Sequence, residues 1–311
     1  MFTFGFFMDD DLNVTYIALS GYVGMGTFRF LYFSLMFAVY ILTMFFSSSI
    51  MCLIWKHKNL HEPMYFFIAA LLLNSIVYNT AMYPKLLGNF VSEKPVISYS
   101  ACLIQFFLYY FLCASDFFLL SAMAYDRYVS ICKPLQYHAI MTTTTVSVIL
   151  CLAWLVPACE IAVSVILIVN TKFCHFTLKS FICNHSIYNL FCISSKVITL
   201  YDLYVLFSMA LLPLLFILFT YTRILIISYR SGRNVRRKAA QTCLPHLVVL
   251  FCFSCLCSYD VVIGQLGSDL HSIMTLQAFL YYPLFNPVIY GLKVKEIFKH
   301  LKKLFCRAKL N

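Results

Sequence analysis

The sequence predicts an all-α membrane protein: a seven-transmembrane helix bundle followed by a short amphipathic C-terminal helix. Three observations carry that prediction. First, 62% of the 311 residues are hydrophobic and only 11% are charged, more apolar surface than a soluble domain of this size can hide. Second, seven apolar segments reach the roughly 20 residues that a spanning helix needs. They lie at 28–55, 63–86, 98–131, 143–168, 200–228, 239–262 and 272–292. Third, the basic residues alternate across the connections. Of 23 Lys and Arg, those on one side of a seven-span chain are Lys56, Lys58, Arg127, Lys133, six between Arg223 and Lys238, and seven between Lys293 and Lys309. The positive-inside rule makes that side cytoplasmic and the N-terminus extracellular.

The chain accordingly divides into an extracellular N-terminus at 1–27, the spanning domain at 28–292 and a cytoplasmic helix and tail at 293–311. The net charge of +11 reads as topology, and nucleic acid is not an expected partner. The runs at 230–238 and 293–303 are also placed to touch anionic lipid or an acidic partner.

From the start, Met1–Met8 is apolar but lacks a basic beginning and runs into Asp9, Asp10 and Asp11. No cleavable signal peptide is expected, and the first span serves as the anchor. Asn13-Val14-Thr15 is a glycosylation sequon on the outer side; Asn184-His185-Ser186 is a second, crowded by Cys183. Leu60-His61-Glu62-Pro63-Met64-Tyr65-Phe66-Phe67 marks a cytoplasmic turn and the start of the second span. Proline suits a first helical turn, where its missing N–H costs nothing. The third span closes on Met123-Ala124-Tyr125-Asp126-Arg127-Tyr128-Val129-Ser130-Ile131-Cys132-Lys133-Pro134-Leu135. An ionised pair at the edge of the hydrocarbon is expensive unless it is a latch or faces a partner. Trp154 and Pro157 lie in the fourth span and Pro213 in the fifth; such prolines kink helices and help to open a cavity between them. Lys238-Ala239-Ala240-Gln241-Thr242-Cys243-Leu244-Pro245-His246-Leu247 opens the sixth span. Pro283-Leu284-Phe285-Asn286-Pro287-Val288-Ile289-Tyr290 closes the seventh, and Ile297, Phe298, Leu301, Leu304 and Phe305 then recur at helical spacing between lysines, as in a helix lying on the membrane face.

The 14 cysteines sort by place. Cys52, Cys113, Cys132, Cys151, Cys159, Cys243, Cys252, Cys255 and Cys257 read as small apolar packers in or beside spans. Cys306 in the tail is a candidate for palmitoylation. Cys102, Cys174, Cys183 and Cys192 lie outside, in an oxidising compartment. Three pairings of these four are open to the sequence, and mixed spacing argues against zinc.

Five motifs, in order over residues 60–295, resemble the odorant receptors, a branch of the rhodopsin-like G-protein-coupled receptors. Residues 60–67 are similar to LHxPMYFF, 123–135 to the signature around the third helix, and 238–247 to KAxxTCxxHL. Tyr221, eight residues after Pro213, and the Asn286-Pro287 segment are similar to the family's fifth and seventh helices. The Leu-His-Glu-Pro and Leu-Pro-His wording resembles the fish branch.

The resemblance implies a receptor that a small, water-borne odorant activates and that carries no cofactor and performs no covalent chemistry. It implies coupling to a stimulatory, olfactory-type G protein that raises cyclic AMP, and a place in the plasma membrane of olfactory cilia. It pairs Cys102 with Cys183 and Cys174 with Cys192. It assigns Asp126, Arg127 and Tyr128 to an inner latch, with Tyr221, Asn286, Pro287 and Tyr290 supporting the released state. A concave, aromatic site with few polar anchors suits an apolar ligand. Tyr109, Tyr110, Cys113 and Ala114 share one stretch of the outer third span; the resemblance adds Val205, Met209, Ser254, Cys257, Val261 and Phe279.

Asp116 lies eleven residues before Arg127, in mid-membrane. The resemblance implies an acid there that helps to hold a sodium ion, but the partner acid of the second span is replaced by Ser75, beside Asn74. A neutral Asp116 bonded to Asn74, Ser75 or Asn286 is the competing reading. Ser47 stands where the family's asparagine is usual, and Ser254 where an aromatic is. Glu160, Asp202 and Asp260 lie nearer the outer ends of their spans, either capped or placed to attract an amine. An enzyme is not expected: no HExxH, GxSxG or P-loop occurs, and His138, His246 and His271 are scattered. A transporter would need broken internal repeats, which are not seen. The alternative within the class is a non-olfactory receptor for a small metabolite or peptide.

Overall fold

In this computed structural model the described residues are 8–9, 14–22, 25–26, 28–193 and 195–230, with single positions at Leu247, Phe251, Ser254, Leu276, Phe279, Leu284, Asn286 and Pro287. Five helices among them are long and apolar enough to cross a membrane: Phe28–Lys56, Pro63–Val91, Tyr99–Cys132, Thr143–Val169 and Lys196–Tyr229. All eight single positions are helical. The remainder of the sixth and seventh spans and the amphipathic tail lie outside the described residues.

The starts of the spans have local causes. Pro63 stands at the first turn of the second span, where no N–H is needed. The Ser98 hydroxyl accepts from Ala101 N at 3.3 Å and the Thr142 hydroxyl from Thr145 N at 3.2 Å, so the third and fourth spans each have an N-cap. The second span runs to Val91, five residues past the expected end at 86, because helix hydrogen bonding continues beyond Pro84 to Ser92 N on Gly88 O. The fifth span begins at Lys196 rather than 200 and is interrupted by a π turn at Phe207–Leu211. Pro213 explains the interruption: it offers no N–H to Met209 O, and its ring crowds that carbonyl unless the turn widens.

The second and third spans form the centre, with Phe67, Leu71, Tyr83, Leu119 and Met123 wholly buried. The first, fourth and fifth turn apolar side chains outward, among them Phe45, Leu155, Ile166, Leu212 and Phe219, as a hydrocarbon solvent permits. Cys52, Cys151 and Cys159 share that outward exposure, so these three meet lipid instead of packing inside; Cys113 and Cys132 are half-buried.

The end of the bundle nearest the chain's start, here termed the outer end, carries a small sheet in which chain that precedes the first span pairs with two later loops. Strand β1 (Met8–Asp9) pairs antiparallel with β2 (Val14–Leu19). β2 then pairs antiparallel with β3 (Val96–Ser98), Ile17 opposite Ile97, and parallel with β4 (Thr177–Leu178). Ile17 and Leu19 point inward while Tyr16 and Ala18 are half-buried, the period of a strand with one covered face. The turn after β2 lies so close to the loop below that a Cβ on Gly21 would sit 2.7 Å from the Ser180 carbonyl carbon. Ser20 Oγ donates to Leu178 O and Tyr22 OH to Phe181 O, each at 3.1 Å. The Tyr22 ring packs edge-on against Phe90 and Phe181, and burial pushes its phenol well above the ordinary value.

Candidate functional site

Three layers of side chains run through the bundle. The outer layer is aromatic. Cys102 and Cys183 are disulfide-bonded, as are Cys174 and Cys192. The first bond ties the long loop to the third span, and Gln105 Oε1 accepts from Cys183 N at 2.9 Å beside it. His185 N donates to Tyr110 OH at 2.8 Å. Beneath, Tyr109 meets Tyr110 edge-on at 4.9 Å and lies 6.2 Å from Phe279. Tyr78 joins both, and Tyr83 OH donates to Phe279 O at 2.5 Å. Third, second and seventh spans thus share one aromatic floor. Cys113 and Val205 are half-buried, while Ala114 and Met209 are buried, Met209 inside the π turn.

The middle layer is polar. Asn74 Nδ2 donates to Asp116 Oδ1 at 2.7 Å and to Leu112 O at 2.8 Å, and Asn74 Oδ1 accepts from Trp154 Nε1 at 3.2 Å. That chain links the second, third and fourth spans. Bonds of this kind contribute roughly 0.6–2 kcal/mol each in a bilayer. Asn286 Nδ2 donates to Ser75 Oγ at 2.9 Å, joining the seventh span to the second. Of the two readings of Asp116, the geometry favours the bonded one. A resident cation does not fit: Asp116 is the sole carboxylate of the layer among the described residues, and an amide N–H is aimed at it. No group of three His, Cys, Asp or Glu suited to a metal occurs among the described residues. The buried hydroxyls of Ser47 and Ser254 have no hydrogen-bond partner among the described residues.

The inner layer is ionic. Asp126 is fully buried, and its Oδ2 accepts from Arg127 Nη2 at 2.5 Å and Nε at 3.0 Å. Its Oδ1 accepts from Tyr137 OH at 2.8 Å. Burial and the neighbouring Asp126 charge push the Tyr137 phenol well above its ordinary range, so it remains a donor. Tyr128 is half-buried, and Tyr221 is buried on the fifth span, which packs along the third. Leu135, two residues beyond Lys133, is wholly exposed.

A family model described as "Olfactory receptor" matches residues 34–308. The chain belongs to the olfactory receptor family. Olfactory receptor 11H2 of Homo sapiens is 35% identical over 92% of this chain and 89% of its own length. Olfactory receptor 11A1 of Homo sapiens is 32% identical over 94% and 95%. The olfactory receptor-like protein OLF4 of Canis lupus familiaris is 29% identical over 97% and 99%. These three are mammalian and lend no support to the fish branch. The crystal structure of squid rhodopsin superposes with a TM-score of 0.73 at 18% identity, covering 90% of this chain and 87% of that one. The fold is therefore that of the seven-helix rhodopsin-like receptors. The protein is an odorant-sensing membrane receptor and not an enzyme.

Within this receptor, the structure brings Tyr109, Tyr110 and Phe279 together and seats Asn286 and the buried Pro287 in the core. Asn13, Cys257, Val261, Asp260, Tyr290, Cys306 and the basic run at 231–238 lie outside the described residues. Asn184 is fully buried and its side chain accepts from Ser186 N, which leaves the second sequon no room for a glycan. Glu160 accepts from Ser208 and Tyr204 on its two carboxylate oxygens, whereas Asp202 accepts from Tyr188 on one. Sequence reasoning missed Tyr137, Trp154 as a donor to Asn74, and Gln105. The signal for Tyr137 was present, an aromatic hydroxyl in the short loop that follows the latch.

Proposed function

We propose that this receptor binds a small, water-borne odorant among the third, fifth, sixth and seventh spans, with its N-terminus outside. Tyr109, Tyr110, Met209 and Phe279 form the floor and walls of the site, and Cys113, Ala114, Val205, Ser254, Cys257 and Val261 complete it. Binding favours an outward swing of the inner end of the sixth span and frees Arg127 from Asp126. The opened crevice takes a stimulatory, olfactory-type G protein, promotes nucleotide exchange and raises cyclic AMP. Tyr221 and Tyr290 hold the released arrangement. The exposed Leu135 offers the G protein an apolar contact in the turn that follows the third span. A ligand acts here only through its different affinity for the two packings. Olfactory cilia are the expected location, with Asn13 glycosylated and the tail helix on the inner lipid face.

The observation that carries the reading is the latch itself. A buried carboxylate holds Arg127 through two hydrogen bonds while Tyr137 takes its other oxygen. Breaking such a charged, multiply bonded group without a replacement partner costs several kcal/mol, so release requires a partner for Arg127. The test measures cyclic AMP in cells that express the chain with an olfactory-type G protein, challenged with amino acids, amines, acids, steroids and neutral volatiles. A ligand response that Arg127→Ala abolishes at normal surface expression supports the proposal. A full response in that variant rejects it.

A further inference from the structure

Two acids stand near the outer ends of the fourth and fifth spans, and they are treated differently. Both carboxylate oxygens of Glu160 accept hydroxyls: Oε2 from Ser208 at 2.7 Å and Oε1 from Tyr204 at 3.3 Å. Asp202 has one such donor among the described residues, Tyr188 OH on Oδ1 at 3.0 Å. No cation pairs with it among the described residues, where the ion pair is Asp126 with Arg127. None can come as Lys or Arg from the sixth or seventh span, because neither occurs between Lys238 and Lys293. A half-buried carboxylate in apolar surroundings is costly unless a cation or further donors complete it.

The surroundings of Asp202 say which cation would complete it. Tyr188 packs edge-on to His185 at 4.6 Å and to Phe106 at 6.3 Å; Phe106 lies 4.7 Å from Tyr110. Aromatic faces attract organic cations by their quadrupoles, most strongly where water is excluded. Val205 lies one helical turn below Asp202 on the same face, and the buried Met209 follows at the π turn. Seven residues of helix span roughly 10 Å. The acid therefore stands at the outer rim of a wall that is apolar further in.

We propose that Asp202 anchors a protonated amine on the odorant, whose apolar tail runs inward along Val205 and Met209. This rests on the odorant site proposed above and names its ligand class. The ammonium donates to the Asp202 carboxylate, and the Tyr188 and Phe106 rings supply its apolar and π contacts. Glu160, with both oxygens taken, is a clasp between spans and not a second anchor.

Hexylamine, hexanol and hexanoate share a chain length and differ in the head group. The expected result is a cyclic AMP response to hexylamine at a half-maximal concentration about tenfold or more below that of hexanol, the difference a charged hydrogen bond supplies. Asp202→Asn, which still accepts from Tyr188, erases that preference while leaving hexanol unchanged. Tyr188→Phe, which removes the phenol and keeps the ring, retains it. Thermal unfolding of the purified receptor with each compound reads binding without coupling. Amine-specific stabilisation that Asp202→Asn removes upholds the anchor even where cyclic AMP is silent, and then only the coupling reading falls. Equal effects of Asp202→Asn on amine and alcohol, or no amine preference in either readout, overturn the anchor and leave the receptor reading intact.

Discussion

At the outer end of this receptor two disulfides, a sheet with β2 at its centre and backbone-directed hydroxyls hold the long loop over the aromatic layer. At the inner end a single acid, one arginine and one phenol hold the third span to its following loop. The first set comprises covalent bonds and hydrogen bonds to backbone, each made within the chain. The second consists of side chains whose bonds can be exchanged for those of a partner. A ligand site gains affinity from being preorganised, whereas a switch needs two packings that differ by only a few kcal/mol. Under the proposed function, recognition falls to the stiff end and signalling to the exchangeable one.

That contrast breaks if the outer staples prove dispensable. Cys102→Ser and Cys183→Ser are expected to remove most receptor from the cell surface, since a lost native disulfide costs about 2–5 kcal/mol; surface over total epitope by flow cytometry reads it. Next comes Tyr137→Phe, which deprives Asp126 of a donor worth about 1.5–3 kcal/mol. It should raise basal cyclic AMP without lowering surface expression. Gly21→Val forces a side chain against the Ser180 carbonyl and should lower the unfolding temperature by the equivalent of roughly 1–3 kcal/mol, with no change in basal signalling. Trp154→Phe removes one interhelical bond to Asn74, about 0.6–2 kcal/mol, and should lower stability slightly at constant ligand preference. The smallest effect is expected from replacing sodium with choline. Neither unfolding temperature nor ligand response should move, whereas Asn74→Asp, which sets a second acid against Asp116, should make unfolding sodium-dependent.

The sequence was most readable where one segment decides its own structure. Long apolar runs place the first four spans within five residues at either end, because length and hydropathy are local properties. The second span runs past its expected end at 86 because a proline late in a membrane helix leaves the following turn bonded. The fifth span's interruption follows from Pro213, but the choice of a π turn depends on neighbours that a linear reading does not contain.

The outer sheet was the least readable. Val14–Leu19 carries strand-like alternation, but its partners lie about 80 and 160 residues away, and no local signal connects them. The inner ion pair was legible because adjacent Asp126 and Arg127 are costly in a bilayer. Tyr137 was less legible: its hydroxyl in the following loop was the one signal, and a neutral aromatic there carries no such cost. In the polar layer the register decided the outcome: Asn74, beside the expected Ser75, faces Asp116, and Ser75 instead meets Asn286.

The most direct test of the division between a fixed outer end and an exchangeable inner one is basal cyclic AMP of Asp126→Asn at matched surface expression. The side chain keeps its shape and loses the charge that holds Arg127. The account predicts a several-fold rise without odorant. Unchanged or lower basal cyclic AMP, at normal surface levels, would contradict it.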